Sequence, residues 1–250
     1  MAPWQAPLLL LAGVGAGLTG SIAGLASLIS YPALLAVGLA PVSANVTNTV
    51  SLVFSSIGSV AGSRPELLNQ GPRLRRLGAV GVLGGAVGGV LLLATPSGYF
   101  ERIAPVLIGF GSLTILVIRR PSRHLAAPFH ADSALVLLGV FAIGIYGGYF
   151  GAAAGVLLLA LLLAATPQTL ARCNALKNVV LGLANLVAAV VFVLFGSVSW
   201  IAAAPLAVGL FIGGSIGPVI VRHSPARTLR LLIALAGVGL AVHLGIDAYG

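Results

Sequence analysis

The sequence predicts an all-α integral membrane protein built from two similar halves. Of its 250 residues, 59% are hydrophobic and 7% are charged, its apolar runs are long and continuous, and one glycine pattern occurs twice. Soluble domains carry about a quarter charged residues, so this chain has too few polar groups to cover a water-facing surface. Barrel strands would alternate polar and apolar residues, whereas these runs are uniformly rich in Leu, Ala and Val.

Eight apolar segments divide the chain. Six have the length of one membrane crossing, since about 20 helical residues span the hydrocarbon core. These six are 44–62, 77–95, 103–118, 174–195, 199–221 and 228–246. The first and fifth segments, 7–38 and 133–164, are longer and would each extend about 48 Å as straight helices. We therefore expect these two to be strongly tilted, broken or folded back.

The two long segments carry the same glycine spacing about 126 residues apart. Gly20 and Gly24 in the first segment correspond to Gly147 and Gly151 in the fifth, and later glycine and proline positions repeat in the same order. Glycines at this density can permit close helix packing. Their clustering in the middle of both segments favours a break in each helix, and matching broken helices indicate the binding site of a transporter. The sequence thus predicts two repeats, 1–122 and 123–250.

The basic residues predict how the repeats are oriented. If the fifth segment crosses once, seven basic residues fall on one side of the membrane and six on the other. If it is a re-entrant hairpin, twelve fall on one side and only Arg102 on the other. The positive-inside rule favours the hairpin, and repeat symmetry gives the first segment the same form. Each repeat then has a broken or re-entrant segment plus three transmembrane helices, so the repeats are inverted.

A stripe of polar residues follows the long segment of each repeat, on one face of the next helix. The stripes contain Asn45, Asn48, Thr49, Ser56 and Ser59 in the first repeat, and Asn174, Lys177, Asn178 and Asn185 in the second. At the repeat offset, Ser51 corresponds to Lys177. Such residues often form hydrogen bonds between helices, and a lysine near a helix end can snorkel to the interface. If Lys177 points inward, it supplies a positive charge for an anion.

Broken helices also expose N-termini, where free N–H groups and the positive end of the helix dipole favour anions. Tyr31, Tyr146 and Tyr149 lie near the expected breaks and could donate phenolic hydrogen bonds. Packing or interfacial anchoring is the alternative role for these rings.

Other chemistries find no support in the sequence. The carboxylates Glu66, Glu101, Asp132 and Asp247 lie in loops or at segment ends, which disfavours a proton relay or cation site within the membrane. The four histidines and one cysteine lack metal-ligand spacing, and no catalytic or nucleotide-binding motif occurs. We expect no catalytic residue, no metal and no cofactor. The net charge of +9 lies in short loops, which indicates membrane orientation and not nucleic-acid binding.

Two stretches resemble the TauE/SafE family of membrane proteins. They are Tyr31-Pro-Ala-Leu-Leu-Ala-Val-Gly-Leu-Ala-Pro-Val-Ser-Ala-Asn-Val-Thr-Asn, continuing to Arg64-Pro-Glu-Leu, and Asn174-Ala-Leu-Lys-Asn-Val-Val-Leu-Gly-Leu-Ala-Asn. The resemblance covers nearly the whole chain and implies a duplicated four-segment unit that transports sulfite, sulfoacetate, thiosulfate or related anions. The family often has three or four consecutive glycines at the break, where this chain has Gly20-Ser-Ile-Ala-Gly24 and Gly151-Ala-Ala-Ala-Gly155.

The function expected from the sequence is that of a secondary transporter for a small anion, such as sulfite or a sulfonate, in the plasma membrane. An anion channel and a non-transporting assembly partner are the alternatives. The anion would lie between the glycine breaks and the two polar stripes. The expected partners are this anion and the lipid bilayer, and a homo-oligomer stays open.

Overall fold

The computed structural model describes residues 2–117 and 133–223 of the chain. Ten helices form this part, and no strand occurs in it. The helices are α1 (Gln5–Ala23), α2 (Ser27–Ala36), α3 (Pro41–Gly62), α4 (Arg64–Leu67), α5 (Gly71–Ala94), α6 (Ser97–Val117), α7 (Ala134–Tyr149), α8 (Ala154–Ala165), α9 (Leu170–Phe195) and α10 (Trp200–His223). The predicted boundary between repeats at 122/123 and the segment 228–246 lie outside the described residues.

Most of these helices are apolar enough for a lipid environment. Within the described residues, α1, α5, α9 and the Trp200–Ile220 stretch of α10 have the length and hydropathy to cross a membrane, and α2, α7 and α8 are shorter apolar helices. Large apolar side chains such as Leu11 and Phe195 are more than two-thirds exposed on the outside of the bundle. The polar residues of α3 are buried instead. The protein is therefore an all-α, multi-pass integral membrane protein.

Helices α1 and α2 are the two arms of a hairpin. Near the start of α1, Gln5 Nε2 donates a hydrogen bond to Val37 O at 3.2 Å, just beyond the end of α2. Between that point and the tip, a Cβ atom built on Gly15 would lie 4.0 Å from Ile29 Cδ1. The chain thus returns to the level at which it entered, so the first long segment is a hairpin and not a single span.

Helices α7 and α8 form the corresponding hairpin of the second repeat. A Cβ atom on Gly139 of α7 would lie 3.0 Å from the Leu161 side chain of α8. Val136 and Val140 share a buried core with Leu158 and other residues of α8. Both long segments of the sequence therefore fold back on themselves.

Each hairpin turns at a glycine in the left-handed region of backbone space. Helix α1 is followed by Gly24 with φ +79°, and the turn after α7 contains Gly151 with φ +75°. Residues with a Cβ rarely adopt this conformation, so glycine is favoured at both turns. Gly20 and Gly147 lie one turn earlier and are still helical.

Helices α1 and α3 run parallel to α10. A Cβ on Gly13 of α1 would lie 2.5 Å from Leu206 O, and a Cβ on Gly17 would lie 2.5 Å from Leu210 O. Along α3, Gly58 faces Phe211 and Gly62 faces Ser215 in the same ascending order. Glycines let these backbones approach closely, as small residues do in membrane bundles.

A second group is formed by α5, α7 and α9, which also run parallel to one another. Gly84 of α5 faces Phe141 of α7, and Gly88 faces the next turn of that helix. On its other side, Gly81 faces Val180 of α9, and Gly85 faces the next turn of α9. The first arm of each hairpin thus packs against a long helix of the other repeat, α10 for α1 and α5 for α7.

The two groups run in opposite directions. Residues 63–70 join α3 to α5 and residues 196–199 join α9 to α10. Connections this short between long helices reverse the chain direction. Because α1 and α3 belong to one group and α7 and α9 to the other, the repeats are inverted.

The charges at the two ends of the bundle differ. Arg64, Arg73, Arg75 and Arg76 lie at the end where α3 stops and α5 begins, and Arg172 lies at the same end of α9. Arg102 lies towards the opposite end, near the start of α6. By the positive-inside rule, the arginine-rich end is expected to face the cytoplasm.

Cysteine labelling of whole cells tests this orientation. In a Cys173→Ser background, we expect Gly98→Cys to react with a membrane-impermeant maleimide from outside, and Leu68→Cys to react only after the cells are lysed. Gly98 and Leu68 are both exposed and lie at opposite ends of α5. Labelling of Leu68→Cys in intact cells with protection of Gly98→Cys would reverse the assignment.

Candidate functional site

The tips of the two hairpins touch at the centre of the bundle. Gly24 of the first tip and Gly155 of the second are so close that a Cβ on either would overlap the Cα of the other. The contact is therefore backbone against backbone, with no side chain between. It places the two helix breaks, predicted separately from the sequence, at one point in the structure.

A polar cavity of about 60 Å³ lies beside this contact. A single water needs about 10–15 Å³ measured in the same way, so the cavity has room for several waters or a small ion. Its walls are the two hairpin tips, one face of α3 and one face of α9. The polar side chains from these two faces are Ser55, Ser56 and Ser59 of α3, and Lys177, Asn178 and Asn185 of α9.

Two helices begin at the cavity wall. Ala26 and Ser27 at the start of α2, and Ala154 and Gly155 at the start of α8, all line it. Neither helix N-terminus has a side-chain cap. Several of the first N–H groups bond to carbonyls of the tips, as Leu28 N does to Leu25 O and Ala154 N to Gly151 O, but the helix dipole still places about +0.5 charge at each helix start. Both N-termini therefore favour a negatively charged occupant.

Lys177 points into the protein, since its side chain is 1% exposed. Its ammonium Nζ donates to Gly20 O at 3.0 Å and to Ser21 O at 3.4 Å, both in the last turn of α1. A helix C-terminus carries partial negative charge, so these carbonyls offset part of the cost of burying the lysine. The lysine is therefore not at the lipid interface, and it connects α9 to α1 at the edge of the cavity.

The two repeats complete each other's broken helices. From α9, Asn174 Nδ2 also donates to Ser21 O of α1, at 2.8 Å. From α3, Asn45 Nδ2 donates to Tyr149 O, the last carbonyl of α7, at 2.8 Å. Each stripe helix thus binds the C-terminal end of the other repeat's first hairpin arm.

Three of the predicted residues of α3 lie behind the cavity and do not line it. Asn48 is fully buried and bonds to side chains of α2. The hydroxyls of Thr49 and Ser51 donate to the carbonyls of Asn45 and Thr47, one turn earlier in α3. Their polarity is used within the helix bundle.

The three tyrosines also lie outside the cavity lining. Tyr31 packs edge-on against Phe150, with ring centroids 5.2 Å apart. Tyr146 donates its hydroxyl hydrogen to Ala152 O within the second tip, at 2.5 Å. The Tyr149 hydroxyl donates a hydrogen bond to Thr95 Oγ1 at 3.4 Å. These rings support the hairpin tips from the side.

The cavity therefore collects only part of the predicted set, and it adds residues that the prediction did not include. Of the predicted residues, those that line it are Gly20, Gly24, Gly147, Gly151, Lys177 and Asn178. Ser56, Ser59 and Asn185 of the predicted stripes also line it, and Ser55 is added beside them on α3. Ser27 carried no signal in the sequence, because only the turn at Gly24 brings it to the cavity.

The chemistry of the lining is that of hydrogen-bond donors. No carboxylate lies among the lining residues in the part of the chain that the structure describes. Nor do the described residues contain a group of His, Cys, Asp or Glu that could hold a metal ion. The site can thus hold an anion by N–H, O–H and ammonium groups.

Two inverted repeats whose broken helices meet at a central polar cavity are the architecture of a membrane transporter. Comparison with known proteins agrees. The family model described as sulfite exporter TauE/SafE matches residues 9–244, and the chain belongs to this family.

Curated relatives are also named as transporters. The chain is 26% identical over 242 residues to "Probable membrane transporter protein YfcA" of Escherichia coli K12, covering 94% of this chain and 87% of that protein. It is 24% identical over 239 residues to "Probable membrane transporter protein ORF9" of Sinorhizobium sp, covering 93% of this chain and 89% of that protein. No solved structure matches the chain significantly. The protein is therefore a membrane transporter of the TauE/SafE family.

The contact between the hairpin tips can be tested with one added methyl group. Gly155→Ala would push a Cβ into Gly24 Cα, and such overpacking costs about 1–3 kcal/mol. We expect a lower melting temperature in detergent and a marked loss of transport. The matched control is Gly15→Ala, whose Cβ would meet only Ile29 Cδ1 at 4.0 Å. Equal behaviour of the two variants would contradict a tight contact between the tips.

Proposed function

We propose that this protein is a secondary transporter that moves a small anion, a sulfur oxyanion or organosulfonate, across the plasma membrane. The observation that carries the proposal is the cavity between the hairpin tips. There the Lys177 ammonium and the uncapped N-termini of α2 and α8 face the same small space.

The charges around the cavity favour an anion over a cation or a neutral molecule. One unit charge at 4 Å from another contributes about 4 kcal/mol at an effective dielectric constant of 20. The lysine supplies a full positive charge, and each helix N-terminus adds about half a charge. The last turns of α1 and α7 also reach this cavity and carry opposite partial charges, so the net positive charge of the site comes from Lys177.

The size and lining of the cavity favour a small oxyanion. A space of about 60 Å³ limits the occupant to a few heavy atoms. The serine hydroxyls of α3 match oxygen acceptors, while Leu52 and Leu181 give part of the wall an apolar surface. A sulfonate, with oxygens at one end and carbon at the other, fits this mixture. The description of the family as sulfite exporters supports the same class of substrate.

The contacts of Lys177 suggest how binding is linked to movement. The ammonium that faces the cavity holds Gly20 O and Ser21 O of the other repeat. An anion in the cavity competes for this ammonium and so weakens the contact between α9 and α1. Rocking of one repeat against the other, with the hairpin tips as the moving contact, would then expose the cavity to alternate sides.

Counterflow in proteoliposomes tests the transport function. Proteoliposomes that contain the purified protein are loaded with sulfite, thiosulfate, sulfoacetate or another sulfonate. They should exchange at least one of these anions with saturable kinetics. If the flux does not saturate and single-channel conductance steps are recorded, the protein is an anion channel and not a carrier. Absence of flux for the whole panel, with correctly inserted protein, would overturn the proposal.

Lys177 is the residue on which the anion site depends most. Removing one partner of a buried charge pair costs about 3–5 kcal/mol, so Lys177→Met should weaken anion binding about 100-fold or more. Arg172→Met removes the same charge from an exposed position at the start of the same helix, and it should bind near normally. If Lys177→Met stays within about threefold of the parent, well under 1.4 kcal/mol, the lysine is only a structural tie to α1.

The carboxylates are expected to be dispensable. Glu66 and Glu101 do not line the cavity, and a carboxylate relay would require an acidic group within the membrane. Transport by Glu66→Gln and Glu101→Gln should therefore stay within about twofold of the parent at matched protein level. Loss of transport in either variant, with normal insertion, would reveal a proton or cation site outside this cavity.

A further inference from the structure

We propose that Ser27 is a ligand of the transported anion, and that Asn48 is the positioning residue that turns the Ser27 hydroxyl towards it. The proposal rests on the proposed anion site. It assigns a donor that the sequence gave no sign of, and it gives Asn48 a role that does not require contact with the substrate.

Ser27 is the first residue of α2 and lines the cavity at the uncapped N-terminus of that helix. Asn48 lies behind it on α3, with no exposed surface and outside the cavity lining. The Asn48 amide nitrogen Nδ2 donates to Ser27 Oγ at 3.2 Å. Asn48 is therefore connected to the cavity by its hydrogen bond to Ser27.

The orientation of the Asn48 amide is set from its other end. The Ser30 hydroxyl, one turn further along α2, donates to Asn48 Oδ1, and it also lies 3.0 Å from Ala26 O. With its oxygen held by Ser30, the amide presents its N–H₂ group to Ser27. Three side chains on two helices, Ser30, Asn48 and Ser27, thus form one chain of hydrogen bonds that ends at the cavity.

The hydrogen bond from Asn48 determines where the single hydrogen of the Ser27 hydroxyl points. A serine hydroxyl has one hydrogen to donate and two lone pairs to accept with. Because Ser27 Oγ accepts from Asn48, its single hydrogen is left to point into the cavity. The hydroxyl then adds a donor at the start of α2, which is the positive end of the helix.

A donor fixed in this way also narrows the class of substrate. The Lys177 ammonium, the two helix N-termini and the Ser27 hydroxyl all donate, so the bound group must offer acceptors. A fully ionised oxyanion, such as sulfite or the end of a sulfonate, offers only acceptors. A substrate group that carries its own hydrogen would place a donor against one of these donors. That protein donor would then be buried without an acceptor, which is costly.

A double-mutant cycle tests the proposal, with the affinity of the purified protein for ³⁵S-labelled sulfite as the readout. Ser27→Ala should weaken binding about tenfold, as expected for a hydrogen bond to a charged group. Asn48→Leu, which has a similar shape and no donor, should weaken it to a similar degree. In the Ser27→Ala background, Asn48→Leu should have no further effect, because the group through which it acts is gone.

The control is Thr49→Val, a substitution of similar shape next to Asn48 on α3. Thr49 is buried, its hydroxyl donates to Asn45 O within α3, and it does not line the cavity, so this variant should bind sulfite near normally in both backgrounds. If Asn48→Leu does not fold, as judged by its melting temperature, Ser30→Ala replaces it. That variant releases the other end of the amide and should weaken binding only when Ser27 is present.

Three results would count against the proposal in different ways. If Asn48→Leu, or Ser30→Ala in its place, weakens binding equally with and without Ser27, the residue acts on the structure in general and the assignment of Ser27 and Asn48 is wrong. If Ser27→Ala itself binds sulfite as the parent does, Ser27 is not a ligand. If the parent shows no saturable binding of sulfite or of any other anion in the panel, the anion site itself fails, and this proposal fails with it.

Discussion

The structure depends on one constraint, the need to satisfy the backbone of helices that stop halfway across the membrane. The last carbonyls of such a helix have no partner within the helix, and the hydrocarbon core offers no water to replace one. Here the partners come from the opposite repeat. Asn174 and Lys177 of α9 bind the end of α1, and Asn45 of α3 binds the end of α7. Neither hairpin is therefore complete without the other repeat, which accounts for the interlocked packing of α1 on α10 and α7 on α5.

The side chains that bind the ends of α1 and α7 differ in charge, and this difference makes the site asymmetric. The end of α1 receives a lysine ammonium, whereas the end of α7 receives a neutral amide. One hairpin is thus joined to the opposite repeat by a cation that also faces the cavity. The ammonium stabilises the negative end of α1. Under the proposed function the same group also offers its charge to an anion, which would link binding in the cavity to the contact between repeats.

Sequence patterns predicted the elements of the site better than its contacts. Glycine spacing indicated the turns at Gly24 and Gly151, and loop charge favoured hairpins over single spans. The polar stripes indicated which faces of α3 and α9 point inward. Their periodicity gave no information on depth, so Asn48 and Asn174 were grouped with Lys177, although only Lys177 of the three lines the cavity. A helical period tells which residues share a face and not which partner lies opposite each turn.

The sequence by itself determined the membrane class, the duplication and the position of the breaks, because hydropathy, glycine conformation and loop charge are local properties of the chain. Only the tertiary structure decided which helix end each polar side chain meets. Lys177 binds Gly20 across 157 positions of sequence, and Ser27 reaches the cavity only because the chain turns back at Gly24. Contacts of this kind arise from the packing of inverted repeats, in which residues far apart in sequence meet at a common centre. The polar lining of the cavity is therefore decided by the contact between the two hairpin tips and not by any local pattern of sequence.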